Sequence, residues 1–138
     1  MVDRISKAQR SRVMKAVGQS DTGPEVLVRS LLHRAGFRFR KNVRAMPGSP
    51  DVVLPRYRTV VFVHGCFWHQ HHGCKRATRP ASNTAYWDAK LARNVERDRT
   101  KADELMAQGW RVIVVWECET SDLPALAGRL EAEIRQRP

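Results

Sequence analysis

The pattern of apolar and polar positions along the chain predicts four strands and four helices. Residues 37–43 begin with aromatic and basic side chains in alternation, which is typical of a half-exposed strand. Residues 51–54 form a second, short strand. The runs 59–63 and 110–116 are apolar and rich in β-branched side chains, so they are predicted to be buried strands.

Apolar residues at helical spacing, together with cap signals, predict the helices. These cover residues 5–17, residues 23–35, residues 85–108 and a last segment that begins after Ser121 or Asp122. Thr22 and Glu25 have the spacing of a capping box at the start of the second helix, and Gly36 is its C-terminal stop. Either Asn83 or Thr84 caps the third helix.

The elements follow one another in the order α-α-β-β-β-α-β-α. This order predicts an α/β fold in which a central mixed sheet carries helices on its faces. A length of 138 residues fits one domain, and neither a repeat nor a low-complexity segment divides the chain. We therefore expect a single domain over residues 1–138, with residues 1–18 as a basic, helical N-terminal arm.

The charge of the chain indicates a polyanionic partner. Twenty-five Lys and Arg side chains oppose 14 Asp and Glu, which gives a formal net charge of +11. Nucleic acid fits this charge better than a membrane does, since no run approaches the roughly 20 apolar residues of a membrane span. The N-terminus has no apolar signal segment. We expect a cytoplasmic, nucleoid-associated monomer that binds nucleic acid.

Residues 62–74 concentrate side chains that bind metals. This segment holds four of the five histidines and two of the three cysteines. The third cysteine, Cys118, follows the predicted strand 110–116. Sulfur and imidazole ligands at short spacing suit zinc, and three Cys with one His are a usual closed, tetrahedral set. An odd number of cysteines and the lack of a signal peptide argue against disulfides.

The spacing favours a zinc set of Cys66, His71, Cys74 and Cys118. Cys66-x4-His71-x2-Cys74 is a compact loop that Cys118 would close from a distant strand end. His72 is the alternative histidine, one residue further along. Three buried free cysteines would be the simpler interpretation, but their clustering with histidines favours a structural zinc site.

Two residues at strand ends are candidates for chemistry. If residues 55–58 form a turn, antiparallel pairing brings the Asp51 carboxylate close to Val63 and His64. A carboxylate, a backbone carbonyl and waters make a magnesium site, and an imidazole at the same end can hold or protonate a phosphate oxygen. His69 is a second candidate for proton transfer. A turn-capping Asp51 and a core His64 are the alternatives.

Three aromatic rings occupy unusual positions for a core. Phe67 and Trp68 lie beside candidate metal ligands on a polar loop, and Trp87 lies near the start of the helix 85–108. Rings on a loop of a cationic protein can stack on bases or wedge between base steps. Packing of the loop against the body of the protein is the alternative for each ring.

Five segments in sequence order carry a family resemblance. They are Asp21-Thr22-Gly23-Pro24-Glu25, Pro50-Asp51, His64-Gly65-Cys66-Phe67-Trp68-His69, Asn94-Val95-Glu96-Arg97-Asp98, and Gly109-Trp110-Arg111-Val112 with Val115-Trp116-Glu117-Cys118. By these segments the chain resembles the very-short-patch repair (Vsr-type) DNA mismatch endonucleases, a branch of the PD-(D/E)xK nuclease fold. The combination of Cys-Phe-Trp-His with Trp-Glu-Cys is highly specific.

The resemblance implies a reaction and its catalytic residues. The family nicks the thymine-bearing strand of T·G mismatches, which arise when 5-methylcytosine deaminates. By resemblance, Asp51 and the backbone carbonyl of Val63 bind the catalytic Mg²⁺. His69 resembles the general acid/base that works with Glu25, and His64 resembles the histidine on the phosphate side.

The resemblance also implies metal and DNA ligands. The family's structural zinc set matches Cys66, His71, Cys74 and Cys118. Phe67, Trp68 and Trp87 resemble its intercalating rings. Met14 resembles a probe in the opposite groove, whereas Lys90 and Asn94 resemble the residues that read the mismatched bases. The implied partner is double-stranded DNA with a T·G mismatch, and other repair proteins are left open as partners.

Two alternative interpretations fit part of the sequence. One is another PD-(D/E)xK nuclease, such as a restriction enzyme. The other is a non-catalytic, zinc-dependent DNA-binding module. Asp51 argues against such a module, because a carboxylate beside the DNA surface would repel phosphate. The His-x-Glu signature of a zinc deaminase is absent.

Overall fold

The computed structural model describes residues 22–136. The elements in this part of the chain are α1 (Gly23–Arg34), β1 (Arg40–Lys41), β2 (Val52–Leu54), β3 (Thr59–His64), α2 (Thr84–Ala107), β4 (Arg111–Trp116) and α3 (Leu123–Arg135). The predicted mixed sheet flanked by helices is confirmed. The predicted helix 5–17 and its Met14 lie outside the described residues. Among the helices within residues 22–136, none is long and apolar enough to cross a membrane.

The sheet has the strand order β1-β2-β3-β4. Strands β2 and β3 are antiparallel, with Leu54 opposite Thr59, and a 3₁₀ turn at Pro55–Tyr57 reverses the chain between them. Strands β3 and β4 are parallel, with His64 opposite Trp116. The carboxyl ends of β3 and β4 therefore meet at one edge of the sheet, where the candidate residues of the following loops converge.

Alternation along the strands produces two buried faces. On one face, Val61 of β3 belongs to a cluster with Leu32 of α1 and Leu130 of α3. On the other face, Val60 packs in a cluster with Leu105 of α2. Burial of a leucine side chain stabilises a fold by about 1.5–3 kcal/mol. These two clusters hold α1 and α3 on one side of the sheet and α2 on the other.

Helix α1 has the predicted caps at both ends. The Glu25 backbone N–H donates to Thr22 Oγ1 at 3.4 Å, as the capping-box spacing predicts. At the other end, Gly36 has a left-handed φ of 88°. The Phe37 N–H donates back to the Leu32 carbonyl at 3.0 Å, so the last turn of the helix is closed.

Strand β1 is much shorter than predicted. It comprises only Arg40–Lys41, so the prediction of a strand over 37–43 is wrong in extent. The N–H of Phe37 already belongs to the helix cap, and Asn42 ends the extended conformation with a φ of 49°. The predicted alternation nevertheless persists, because Phe37 is buried and Arg38 is exposed.

The other boundaries agree with the predictions to within one residue. Asn83 occupies the N-cap position of α2, although its side chain makes no capping hydrogen bond. For α3 the cap is Asp122 and not Ser121, since the Asp122 side chain accepts a backbone N–H of the first turn at 3.2 Å. Asp51 immediately precedes β2 and does not belong to it.

Candidate active site

One cavity at the edge of the sheet gathers the residues that the sequence marks as catalytic. It has a volume of about 270 Å³. Glu25 from α1, Asp51 before β2, His64 at the end of β3 and His69 in the following loop all line it. Three charged residues of α2 that no sequence pattern assigned to catalysis line it as well, namely Arg97, Asp98 and Lys101.

Asp51 lies beside the end of β3, as antiparallel pairing predicts. The Val63 N–H donates to Asp51 Oδ2 at 2.6 Å. Burial raises the pKa of Asp51 from 3.8 to about 6; the hydrogen bond from Val63 opposes this rise, and the nearby Glu25 carboxylate adds to it. A carboxylate whose charge is so poorly solvated gains from a bound cation.

Glu25 brings a second carboxylate into the cavity wall. Its residue is 5% exposed, and Arg29, one helical turn later, lies with Nη1 3.6 Å from Glu25 Oε2. The backbone N–H of Glu25 makes the predicted cap contact with Thr22 Oγ1. The side chain joins Asp51 in lining the cavity, so two sources of carboxylate oxygen, the donor that Mg²⁺ prefers, share one space.

His64, His69 and Asp98 form a compact cluster. The two imidazole rings are stacked with centroids 3.9 Å apart and planes 7° from parallel. His69 Nδ1 lies 2.5 Å from Asp98 Oδ2. A carboxylate on Nδ1 fixes the orientation of the ring and leaves Nε2 for proton transfer. Burial, and secondarily the neighbouring His69, lower the pKa of His64 to about 4, so His64 is neutral at physiological pH.

Among the three unassigned cavity residues, Asp98 is the one that contacts a predicted catalytic residue, His69. It belongs to the family-like segment Asn94–Asp98, but no local pattern connects it with His69, which is far away in the chain. The available signal was helical spacing, since positions 90, 94 and 98 lie on one face of α2.

The four predicted zinc ligands converge in one place. The donor atoms of Cys66, His71, Cys74 and Cys118 all lie within 4.8 Å of one another. His71 Nδ1 is 3.7 Å from Cys66 Sγ and 3.5 Å from Cys118 Sγ. His72 is exposed and lies outside this cluster. The geometry therefore favours His71 over His72.

Electrostatics at this Cys/His cluster favour a bound cation. Burial raises the pKa of Cys66 to about 12; a backbone hydrogen bond at Cys118 opposes this rise and the neighbouring thiols add to it, whereas the Arg76 backbone N–H lowers the pKa of Cys74. A cation is needed to keep such crowded sulfur atoms ionised, and sulfur with imidazole suits zinc. The Cys66 N–H also donates to Glu117 Oε1 at 3.2 Å, which joins the loop to the end of β4.

Trp116, at the end of β4, connects the Cys/His cluster with the cavity. Its ring stacks on His71 with centroids 4.2 Å apart and planes 9° from parallel. The same ring meets His64 edge-on at 5.2 Å. The sequence indicated only a buried strand at this position. In the structure, the Trp116 ring thus contacts both His71 of the Cys/His cluster and His64 of the cavity.

Four aromatic residues form an exposed patch, here named the ring surface: Phe67, Trp68, Tyr86 and Trp87. The centroids of Phe67, Trp68 and Trp87 are 5.0 to 6.0 Å apart in pairs. Tyr86, which no sequence pattern singled out, lies 5.5 Å from Trp87. Trp68 is 45% exposed and Tyr86 is 56% exposed. An exposed apolar patch of this kind is typical of a binding surface.

A cation lies over the ring surface. Lys90 Nζ is 5.5 to 5.8 Å from the ring centroids of Trp68, Tyr86 and Trp87. Asn94, partly buried, follows one helical turn later on α2. Helix α2 therefore carries Trp87, Lys90 and Asn94 at its start and the cavity residue Asp98 beyond them.

Comparison with known proteins identifies a family. A sequence model described as DNA mismatch endonuclease Vsr matches residues 2–76. The type II nicking enzyme V.XorIIP of Xanthomonas oryzae pv. oryzae is 51% identical over 130 residues, which cover 94% of this chain and 95% of that protein. The type II nicking enzyme V.NmeAIP of Neisseria meningitidis is 45% identical over 136 residues, covering 99% and 96%.

A further relative is the DNA mismatch endonuclease Vsr of Escherichia coli K12. It is 46% identical over 129 residues, which cover 94% of this chain and 78% of that protein. The family match spans more than half of the chain, and the relatives align over nearly all of it. The chain is therefore a DNA endonuclease and belongs to the Vsr family of DNA mismatch endonucleases.

Proposed function

We propose that this protein acts as a monomer that nicks the thymine-bearing strand of a T·G mismatch in double-stranded DNA, with Mg²⁺ as the catalytic ion and zinc as a structural ion. One observation carries the proposal. A groove of about 360 Å³ is lined by Glu25 and His69 together with Phe67 and Trp68. The candidate catalytic groups are thus next to the surface best suited to unstacked bases.

The alternative interpretations fit less well. A non-catalytic DNA-binding module is incompatible with membership of an endonuclease family. A restriction enzyme that cuts both strands is a weaker choice, because two relatives that align along almost the whole chain are named nicking enzymes. Cutting of one strand is the activity of a repair enzyme that must leave the other strand intact.

Asp51 and the Val63 backbone carbonyl are the proposed ligands of Mg²⁺. The donor set fits a hard cation, since Asp51 lies against the Val63 backbone and Glu25 lines the same cavity. The raised pKa of Asp51 supports this role, because a divalent cation would offset the cost of the buried charge. The chemistry that Mg²⁺ supplies when bound is stabilisation of negative charge on the reacting phosphate.

His69 is the proposed acid/base. Asp98 is hydrogen-bonded to His69 Nδ1, so Nε2 of His69 remains available to accept a proton from the attacking water. His64 packs flat against His69 and is neutral, so it can donate a hydrogen bond to a phosphate oxygen without adding charge beside His69. Glu25 would assist His69, as the resemblance implies.

The ring surface is proposed to recognise the mismatch by wedging between base steps. Unstacking costs a few kcal/mol per step, and that cost is lower beside a weak T·G pair than beside a normal pair. Rings that insert between base pairs therefore bind a T·G site more favourably than a normally paired site. Lys90, over three rings, and Asn94 would then reach the edges of the mismatched bases.

The test of this proposal uses three labelled duplexes that differ at one position, T·G, T·A or C·G. The protein and Mg²⁺ should nick the T·G duplex in the thymine-bearing strand alone and leave the other two intact. Omission of Mg²⁺ should stop the reaction. Equal cutting of all three duplexes, or cutting of both strands, would contradict the proposed specificity.

Replacement of Trp68 by Ala tests the wedge separately from the charge. Each base–aromatic stack is worth about 1–3 kcal/mol, so Trp68→Ala should weaken binding to the T·G duplex by about tenfold or more. Binding to the T·A duplex should change little. The matched control is Arg93→Ala on the exposed side of α2, which removes one positive charge and should weaken both duplexes equally. Fluorescence anisotropy measures all four affinities.

If Trp68→Ala lost the same affinity for both duplexes, the wedge would be wrong and Trp68 would serve only to pack the loop. Near-native circular dichroism spectra for both variants would show that neither result reflects unfolding.

A further inference from the structure

The cluster of His64, His69 and Asp98 has the donors of a metal site different from the two already proposed. One donor atom from each residue lies within 4.8 Å of the other two. A tetrahedral zinc ion holds such donors about 3.3 to 3.5 Å apart.

We propose that His64, His69 and Asp98 bind a second zinc ion, and that this ion inhibits the enzyme. The inhibition, but not the binding, rests on the proposed function. Two imidazoles with one carboxylate are a set that zinc occupies while one position stays open. Mg²⁺, the proposed catalytic ion, prefers oxygen donors and so does not compete well for two ring nitrogens.

The charge around the cluster supports a cation there. Glu25, Asp51 and Asp98 bring three carboxylates to the wall of the same cavity, against two positive side chains from Arg97 and Lys101. Arg29 also pairs with Glu25, so the cavity is close to neutral in an otherwise basic protein. Zinc would enter a site whose carboxylates lower the cost of taking a divalent ion from water.

Binding would require two local changes. The rings of His64 and His69 are parallel, whereas a metal ion lies in the plane of each imidazole that binds it, so one ring must turn. The 2.5 Å contact between His69 Nδ1 and Asp98 Oδ2 requires a proton on one of the two atoms, since two bare acceptors would repel. If both atoms coordinate the ion, zinc takes the place of this proton and releases it.

The same changes explain inhibition. A His69 ring that is turned toward zinc, or that has lost its hydrogen bond to Asp98, no longer presents Nε2 to the attacking water. General acid–base catalysis contributes about 100-fold or more, so nicking should fall by that factor when the second ion is bound. A chelator that strips the weaker site but leaves the Cys/His zinc in place should restore the rate.

Equilibrium dialysis against buffered zinc, followed by metal analysis, tests the binding directly. The intact chain, purified with its Cys/His zinc, should rise from one to two zinc ions per chain. His64→Gln and Asp98→Asn should stay at one. The matched control is His33→Gln, which removes an exposed histidine of α1 far from the cluster and should still rise to two.

The retained first zinc shows that each variant is folded. A wild-type chain that stays at one zinc, or a second zinc that persists in both His64→Gln and Asp98→Asn, would overturn the site. If the protein binds the second zinc but never nicks a T·G duplex, the metal site stands and the proposed function is wrong. A chain that nicks the duplex, binds the second zinc and loses no activity would overturn the inhibition.

Discussion

Asp51→Asn is expected to abolish nicking of the T·G duplex while the variant still binds it. The substitution keeps the shape of the side chain and its ability to accept the Val63 N–H, but it removes the negative charge that would anchor Mg²⁺. A metal ion contributes several kcal/mol to such a reaction, so the rate should fall by more than about 100-fold. Gel-based nicking and anisotropy binding assays separate the two outcomes.

The same variant should be more stable than the wild type at neutral pH. The folded-state pKa of Asp51, about 6, is above its ordinary value of 3.8, so ionising this buried group destabilises the free protein. The gain for Asp51→Asn should be on the order of 2 kcal/mol above pH 6. It should disappear as the pH falls from 6 toward 4, where the wild-type carboxyl is protonated in the folded state.

Urea unfolding of both proteins on either side of that pH window measures the difference. A variant that loses nicking, binding and stability together would indicate misfolding and would remove the support for Asp51 as the metal anchor.

His71→Ala and Cys118→Ala should each lose the proposed structural zinc and much of the stability of the fold. The Cys/His cluster fastens the loop after β3 to the end of β4, and a structural zinc site contributes its binding free energy to folding. A loss on the order of 3–5 kcal/mol is expected for either variant. Metal analysis of the purified proteins and thermal unfolding give the two readouts.

His72→Ala is the matched control for His71→Ala. His72 is exposed and outside the cluster, so this variant should keep one zinc per chain and a wild-type melting temperature. The ligand assignment would be wrong if the two histidine variants behaved alike, or if the purified wild-type protein contained no zinc.

Local rules predicted the framework of the fold and part of the cavity. Thr22 and Gly36 marked both ends of α1 because caps are short-range interactions. The turn after Leu54 fixed the pairing of β2 with β3, and that register alone brings Asp51 to Val63. Clustering of cysteine and histidine in the sequence indicated the four residues that converge.

Contacts between distant segments escaped prediction. Asp98 reaches His69 only after α2 packs on the sheet; helical spacing places Asp98 on the same face as Lys90 and Asn94 but does not indicate its contact with His69. Trp116 looked like any buried strand residue, although its ring touches both His71 and His64. The extent of β1 depended on which group accepts the Phe37 N–H, a competition between helix cap and strand that the alternation of side chains does not reveal.

The parallel pairing of β3 with β4 has a consequence for the order in which the molecule is made. Thr59 pairs with Arg111, about 50 residues later in the chain, so this pairing is a non-local contact that forms slowly. His64 and His71 precede β4 in the chain. Trp116 is the last residue of β4, and Cys118 follows it. A chain still emerging from the ribosome thus carries Asp51 and His69 without the strand that completes their edge of the sheet. This edge of the sheet is complete only after β4 has been synthesised.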